Sequence, residues 1–285
     1  MFLSTLLYFP PRYLFVFFLH TYSLANLASI LTYSLQQIAY QDCLEIFMRY
    51  APMRISDKAV ASQMANTSAS LLPNLPMVTI VRALRTYDMN FCSDPNFYRS
   101  VAEEVDRRLA EISVGNAVIL INSFARRRYF PKNNLFSKLN SIAFENLHEC
   151  DLLQMVYLLV ANATFRERND AFLSRCDEYI CRDKMPFPSF CISGILWAFA
   201  SLAKKPSSVL MKSLLEDIET SIKHSSTQDI CSIAWSLVNL QHFHMPSLDI
   251  LCSISAKRLL EGNFQAIDVR QLQSVSFWVS GRGIP

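Results

Sequence analysis

The chain has 285 residues, of which 51% are hydrophobic, 12% aromatic and 18% charged, and its net charge is +3. So much apolar material with so little charge excludes a disordered chain, and the mild net charge does not by itself announce a nucleic-acid ligand. Only five glycines occur, with no Asn-Gly or Asp-Gly pair, which excludes glycine-rich phosphate loops and argues against the tight hairpins of an all-β fold.

Residues 1–22 open with MFLSTLLYFPPRYLFVFFLH. Pro10-Pro11-Arg12 cuts this apolar run into pieces shorter than the ~20 residues of a membrane helix, so no integral span is expected. The first acidic residue is Asp42, and poverty in acids is one mark of an organelle transit peptide; a terminal apolar helix capping the fold is the alternative. Residues 23–73 read as irregular helical units. From residue 74 to 285 the sequence becomes periodic.

The period is carried by one amphipathic stretch. Taking Trp235 as anchor, the matching positions are Trp197, Tyr157, Leu120 and Ile80, at intervals of 38, 40, 37 and 40, with Phe277 placed 42 residues on. Around Trp235 the apolar face is Ile230, Ile233, Ala234, Leu237 and Leu240; around Trp197 it is Ile192, Ile195, Leu196, Phe199 and Leu202. Spacings of three and four residues mark one face of a helix. Both tryptophans lie inside that stripe and are expected in the core.

A second helix follows each first one. Pro95, Pro131, Pro206 and Pro246 are expected in the first turns of these helices, where a missing amide costs nothing, with Asp94 as an N-cap. Leu210, Met211 and Leu214 recur 40 residues later as Ile250, Leu251 and Ile254. One such pair buries too little apolar surface to offset its ordering entropy, so pairs must stack. The expected fold is all-α, an α-solenoid of helix-turn-helix repeats of about 37–40 residues.

Charge gathers in one place. Between Glu111 and Glu145 there is no acid, but Arg126, Arg127, Arg128, Lys132 and Lys138 occur, with Tyr129 beside the arginines. This turn suits phosphate contact plus base stacking; a solvated turn or an acidic protein partner are the alternatives. Polar residues also collect near first-helix ends: Arg82, Arg85, Asn122, Ser123, Asn162, Ser201 and Asn239. On an inner surface they would meet base edges, although helix-end polarity alone also accounts for them.

Enzyme chemistry finds little footing. Glu103-Glu104-x-Asp106 reads as a solvated face answering Arg107-Arg108. Eight cysteines show no C-x-x-C, and His242-x-His244 and His148-x-Cys150 lack a second ligand pair, so neither a metal nor a disulfide scaffold is expected. No cofactor and no catalytic residue is expected.

The stretch GILWAFASL (194–202), echoed by SIAWSLVNL (232–240), resembles the first-helix signature of octotricopeptide and heptatricopeptide repeat proteins. The resemblance extends over residues 74–285, and the FAST-kinase-like proteins are related to this group. It implies stacked helix pairs that bind organellar RNA, and a mitochondrial location. Many members end in a small basic RAP module; none is expected after Phe277, and no base-reading code carries over. The expected function is therefore a non-enzymatic RNA-binding protein of organellar RNA processing, stability or translation. Its candidate contacts are Arg82, Arg85, Asn122, Arg126, Arg127, Arg128, Tyr129, Lys132, Lys138, Asn162 and Asn239. The alternative is an armadillo- or HEAT-like scaffold, including a structural subunit of an organellar ribosome, with ribosomal or RNA-processing proteins as partners.

Overall fold

The computed structural model describes residue 69 and residues 72–89, 95–182, 186–222, 225–242, 244–262 and 265–281. Expectations for residues 1–68, and for Asp94 as a cap, lie outside the described residues. Among those described there are 11 α-helices and no strand, so the described part of the chain is all-α. It divides between Arg107 and Arg108 into two compact units, a boundary that falls inside the periodic region 74–285.

The first unit holds a 3-10 turn (Leu72–Asn74), α1 (Met77–Met89) and α2 (Pro95–Arg107). Among its described residues three buried rings cluster with Ile80, Leu84 and Val101: Tyr87 lies 4.6 Å from Phe97 and 5.9 Å from Tyr98, ring centre to ring centre. Pro95 is the first residue of α2, as its missing amide favours. Glu104 is buried rather than solvated, and it is held there by two bonds from Arg107 Nη2 and one from Nε, between 2.6 and 3.1 Å. A buried carboxylate needs such a fork, which satisfies both oxygens at once.

The second unit runs α3 (Val114–Arg126), α4 (Leu135–Glu145), α5 (Leu152–Phe165), α6 (Asp170–Arg182), α7 (Ser189–Ser201), α8 (Ser208–Ser221), α9 (Thr227–Asn239), α10 (Met245–Leu260) and α11 (Ala266–Gly281). Each odd-numbered helix packs on the next odd one, α3 on α5, α5 on α7, α7 on α9 and α9 on α11. From α3 to α9, each also packs on the even helix that follows it, and α6, α8 and α10 touch in sequence. Two adjoining rows result.

Composition explains why the odd row packs so closely. Ser123, Ala161, Ala198 and Ser236 occupy one equivalent position on α3, α5, α7 and α9, and all four are buried. Gly194 takes this furthest: a Cβ there would come within 2.7 Å of Val156 Cγ1 and 3.3 Å of Val160 Cγ2, so α5 lies directly on the α7 backbone. Charge is relegated to the even row. Arg126 and Asp229 are the charged residues of α3, α5, α7 and α9, whereas α6 alone carries Asp170, Arg175, Asp177, Glu178 and Arg182.

Caps fix the register. The N-caps of α3, α5, α7 and α9 are Ser113, Asp151, Pro188 and Ser226, spaced 38, 37 and 38 residues apart. Asp151 with Gln154, and Ser226 with Asp229, form reciprocal capping boxes. The C-terminal ends repeat in step. Phe124, Asn162, Phe199 and Leu237 each accept from the amide five residues on (Tyr129, Glu167, Lys204 and His242) at 2.9–3.0 Å. Between these partners sits a left-handed residue: Arg128 (φ 52°), Arg166 (58°), Ala203 (51°) and Gln241 (54°). This is the Schellman turn, in which an αL residue lets the chain leave the helix and satisfy its last carbonyls.

That register corrects the anchors. Trp197 and Trp235 remain equivalent, 38 apart, but their counterparts are Val160 and Asn122 rather than Tyr157 and Leu120. At α11, Gln265 donates its amide to Asp268 at 2.9 Å, as Ser226 does to Asp229 at 3.3 Å. The equivalent of Trp235 there is Ser274 rather than Phe277. Prolines are corrected too. Pro206 precedes the N-cap Ser207, whose hydroxyl accepts from Leu210, and Pro131 lies in the turn before α4.

Glycine is the usual residue at the αL position, and alanine there pays a steric penalty of roughly 1–2 kcal/mol. Ala203→Gly is therefore expected to raise the unfolding free energy by about 1 kcal/mol, read from a urea melt. A fall would show that the turn after α7 is not left-handed.

Candidate nucleic-acid interface

Packed between two odd neighbours and an even partner, α5, α7 and α9 each leave one stripe uncovered, and α3, packed on α5 and α4, has the same stripe. On α3 that stripe is Gly115, Ile119, Asn122 and Arg126; on α5 it is Leu153, Tyr157, Val160 and Thr164. On α7 it is Phe190, Trp197 and Ser201, with Gly194 at its edge against Val160 of α5; on α9 it is Gln228, Ser232, Trp235 and Asn239. The members are half-buried or exposed, apart from Ser232, which is buried and hydrogen-bonded at 3.3 Å to Gln271 on α11. Spacings of four, three and four keep each set on one side of its helix.

Trp197 and Trp235 thus stand half-buried on this open face, not in the core. The correction has a physical cause. Helices flanked on three sides are apolar nearly all round, so the apolar stripe of α7 does not point to one side. Beside the two indoles are the exposed rings and chains of Phe190 (50% exposed) and Leu153 (37%), and the polar ends Thr164, Ser201 and Asn239. Thr164 Oγ1 donates to the Val160 carbonyl at 2.8 Å and Asn239 Nδ2 to the Trp235 carbonyl at 2.7 Å. These bonds leave the Asn239 amide oxygen and the Thr164 lone pairs as acceptors.

The sequence-derived candidates separate on inspection. Asn122, Arg126 and Asn239 lie on the open stripe. Arg127, Arg128, Tyr129 and Lys132 form the turn after α3, with Arg126, Arg128 and Lys132 exposed and the Tyr129 ring tilted against Phe124, 5.7 Å between centres. Lys138 is exposed on α4, in the even row. Arg82 and Arg85 are exposed on α1, in the first unit. Asn162 and Ser123 are buried.

Asn162 belongs to a different feature. Its amide and that of Asn140 bond reciprocally, both at 3.1 Å, and Asn162 Nδ2 also donates to the Leu158 carbonyl at 2.8 Å. The pair forms the floor of a cleft of about 180 Å³ whose walls are Ser137, Ser141, Phe144, Glu167, Asn169 and Phe172. Sequence reasoning missed the tryptophans as surface residues, together with Thr164, Lys204 and Lys205. The caps Ser113, Asp151 and Ser226 are the signal that would have placed them.

Among the described residues the buried thiols are held in their protonated form. Burial pushes the thiols of Cys150 and Cys191 up to about 11 and that of Cys231 up to about 12, and it raises Cys176 as well, so these groups stay protonated near neutral pH. His244 Nδ1 shares a 2.8 Å hydrogen bond with Ser247 at the start of α10. Among the described residues no group of three His, Cys, Asp or Glu side chains converges on a common point, and no helix is long and apolar enough to cross a membrane. Compared with protein families and with curated proteins, the chain finds no match.

Proposed function

We propose that the chain is an α-solenoid whose odd-helix face binds single-stranded RNA, without catalysis, in organellar RNA processing, stability or translation. The mitochondrion is the proposed compartment. One observation carries this reading: an open face where Trp197, Trp235 and Tyr157 stand beside amide and hydroxyl side chains, with Arg126–Arg128 at its border. Bases offer flat faces and polar edges, and single-stranded readers meet them with aromatic rings and uncharged hydrogen-bonding groups. The resemblance of GILWAFASL and SIAWSLVNL to organellar repeat proteins supports the compartment.

Phosphate contacts make such binding salt-dependent, with a log–log slope near −0.7 per contact on single strands. Changing Arg126, Arg127 and Arg128 to alanine is expected to weaken RNA binding and to flatten that slope by about 1–2 units. Fluorescence anisotropy across a salt series measures both. Unchanged affinity would remove the arginine turn from the site.

A protein-binding scaffold is the second reading, favoured by Leu153, Val160 and Phe190 on the same face. Apolar docking is nearly indifferent to salt, so the same titration separates the two.

A further inference from the structure

The turns that close α3, α5, α7 and α9 lie side by side along one edge of the second unit. Phe130 in the first turn packs edge-on against Phe165 at the end of α5, 5.0 Å between ring centres. Arg168 in the second turn donates to the carbonyl of Ala203 in the third at 3.3 Å. The charge of Lys205 in the third, after burial and His244, helps to hold the His242 imidazole below its usual protonation range in the fourth. Each pair of successive turns is therefore in contact or in electrostatic reach, and the edge is continuous.

Along that edge, bases outnumber acids. Beyond the arginine turn already described, Arg166, Lys204 and Lys205 lie on it, Arg166 and Lys205 exposed and Lys204 half-buried. Its carboxylates are Glu167 and Asp170, the latter bonded to Arg168 at 2.8 Å. Part of this bias answers the helix dipole, whose negative end lies at each odd-helix C-terminus and is stabilised by one nearby cation. The first and third turns carry more than one, and so does the second, where Arg168 is paired with Asp170. The first and third are two helix spacings apart, roughly 16–20 Å, which an extended strand covers in a few nucleotides. Trp197 lies four residues before Ser201, the last residue of α7, about 6 Å along the helix from the turn that carries Lys204.

We propose that this edge is a phosphate track: the sugar-phosphate backbone of a single-stranded RNA crosses the turns, held at Arg128 and at Lys204–Lys205, with its bases laid onto Trp197 and Trp235. The assignment rests on the RNA reading above and adds the direction in which the strand runs, across the odd helices at their C-terminal ends rather than along their length. Lys204 and Lys205 are then phosphate ligands.

The test uses the full chain, a fluorescein-labelled 12-mer of oligouridine and a salt titration of affinity. Lys204→Gln with Lys205→Gln is expected to weaken binding and to reduce the log–log slope by about 1.4, the value for two lost phosphate contacts. Lys212→Gln, exposed on α8 in the even row, is expected to change neither. A wild-type chain that binds while the double variant keeps the parent slope overturns the track and leaves the RNA reading standing. A fall in affinity with no change of slope also overturns it. A wild-type chain that does not bind the 12-mer at low salt removes the RNA reading, and the track with it.

Discussion

Replacing Trp197 and Trp235 together with alanine is expected to weaken single-stranded RNA binding by about 2–6 kcal/mol, because base–aromatic stacking is worth ~1–3 kcal/mol per base. At the low end this is roughly 30-fold in affinity. Both rings are half-buried, at equivalent places on adjoining helices α7 and α9. Adjacent packed helices lie ~8–10 Å apart, so the two indoles present themselves as successive platforms. Phenylalanine at both positions keeps a π-face and should retain most of the affinity, whereas leucine keeps bulk without stacking and should not. Anisotropy with oligouridine measures the change, and a thermal melt of each variant separates lost stacking from lost fold. Equal affinity for wild type and the folded double alanine variant would leave the indoles without the proposed role.

Gly194→Leu is expected to lower the unfolding free energy by about 3 kcal/mol, at the upper end for overpacking of a well-filled interior. The ideal Cβ alone would meet Val156 Cγ1 at 2.7 Å, so every larger side chain must push α5 away from α7. Glycine costs a helix interior ~1 kcal/mol relative to alanine, so its presence in α7 is tolerated for the close approach it permits. Gly194→Ala recovers that propensity while adding a tight contact, and the smaller net loss should be offset by Val156→Ala. A chemical denaturation series of the four variants gives the coupling directly. Additive behaviour of Gly194→Ala and Val156→Ala would mean that the two helices do not meet there.

The helical nature of the chain was legible because spacings of three and four residues persist through each segment, and the equivalence of Trp197 with Trp235 was legible because tryptophan is rare. Finer register was not. A slip of three residues along a helix returns nearly the same face, so Tyr157 matched Trp197 as well as Val160 did on apolar pattern alone. Caps do not slip, since Ser113, Asp151 and Ser226 each close one helix start. Which side of α7 faces outward was illegible for a related reason. Between Phe190 and Ala200 it contains no charged residue, so nothing in its sequence distinguishes buried from half-buried. The arginine turn was visible as a run of letters. Its continuation through Arg166 to Lys204 and Lys205 was not, because those residues are brought beside it by packing of α5 and α7.

The direct test of the RNA-binding face is photo-crosslinking of the full chain to a 4-thiouridine-substituted single-stranded RNA, with the attached peptides identified by mass spectrometry. Attachment is expected in residues 126–132, 189–205 and 227–242, the stripes and turns of α3, α7 and α9. Attachment confined to the even-row helices α6, α8 and α10, or none from an RNA that the chain demonstrably binds, would contradict the assignment of that face.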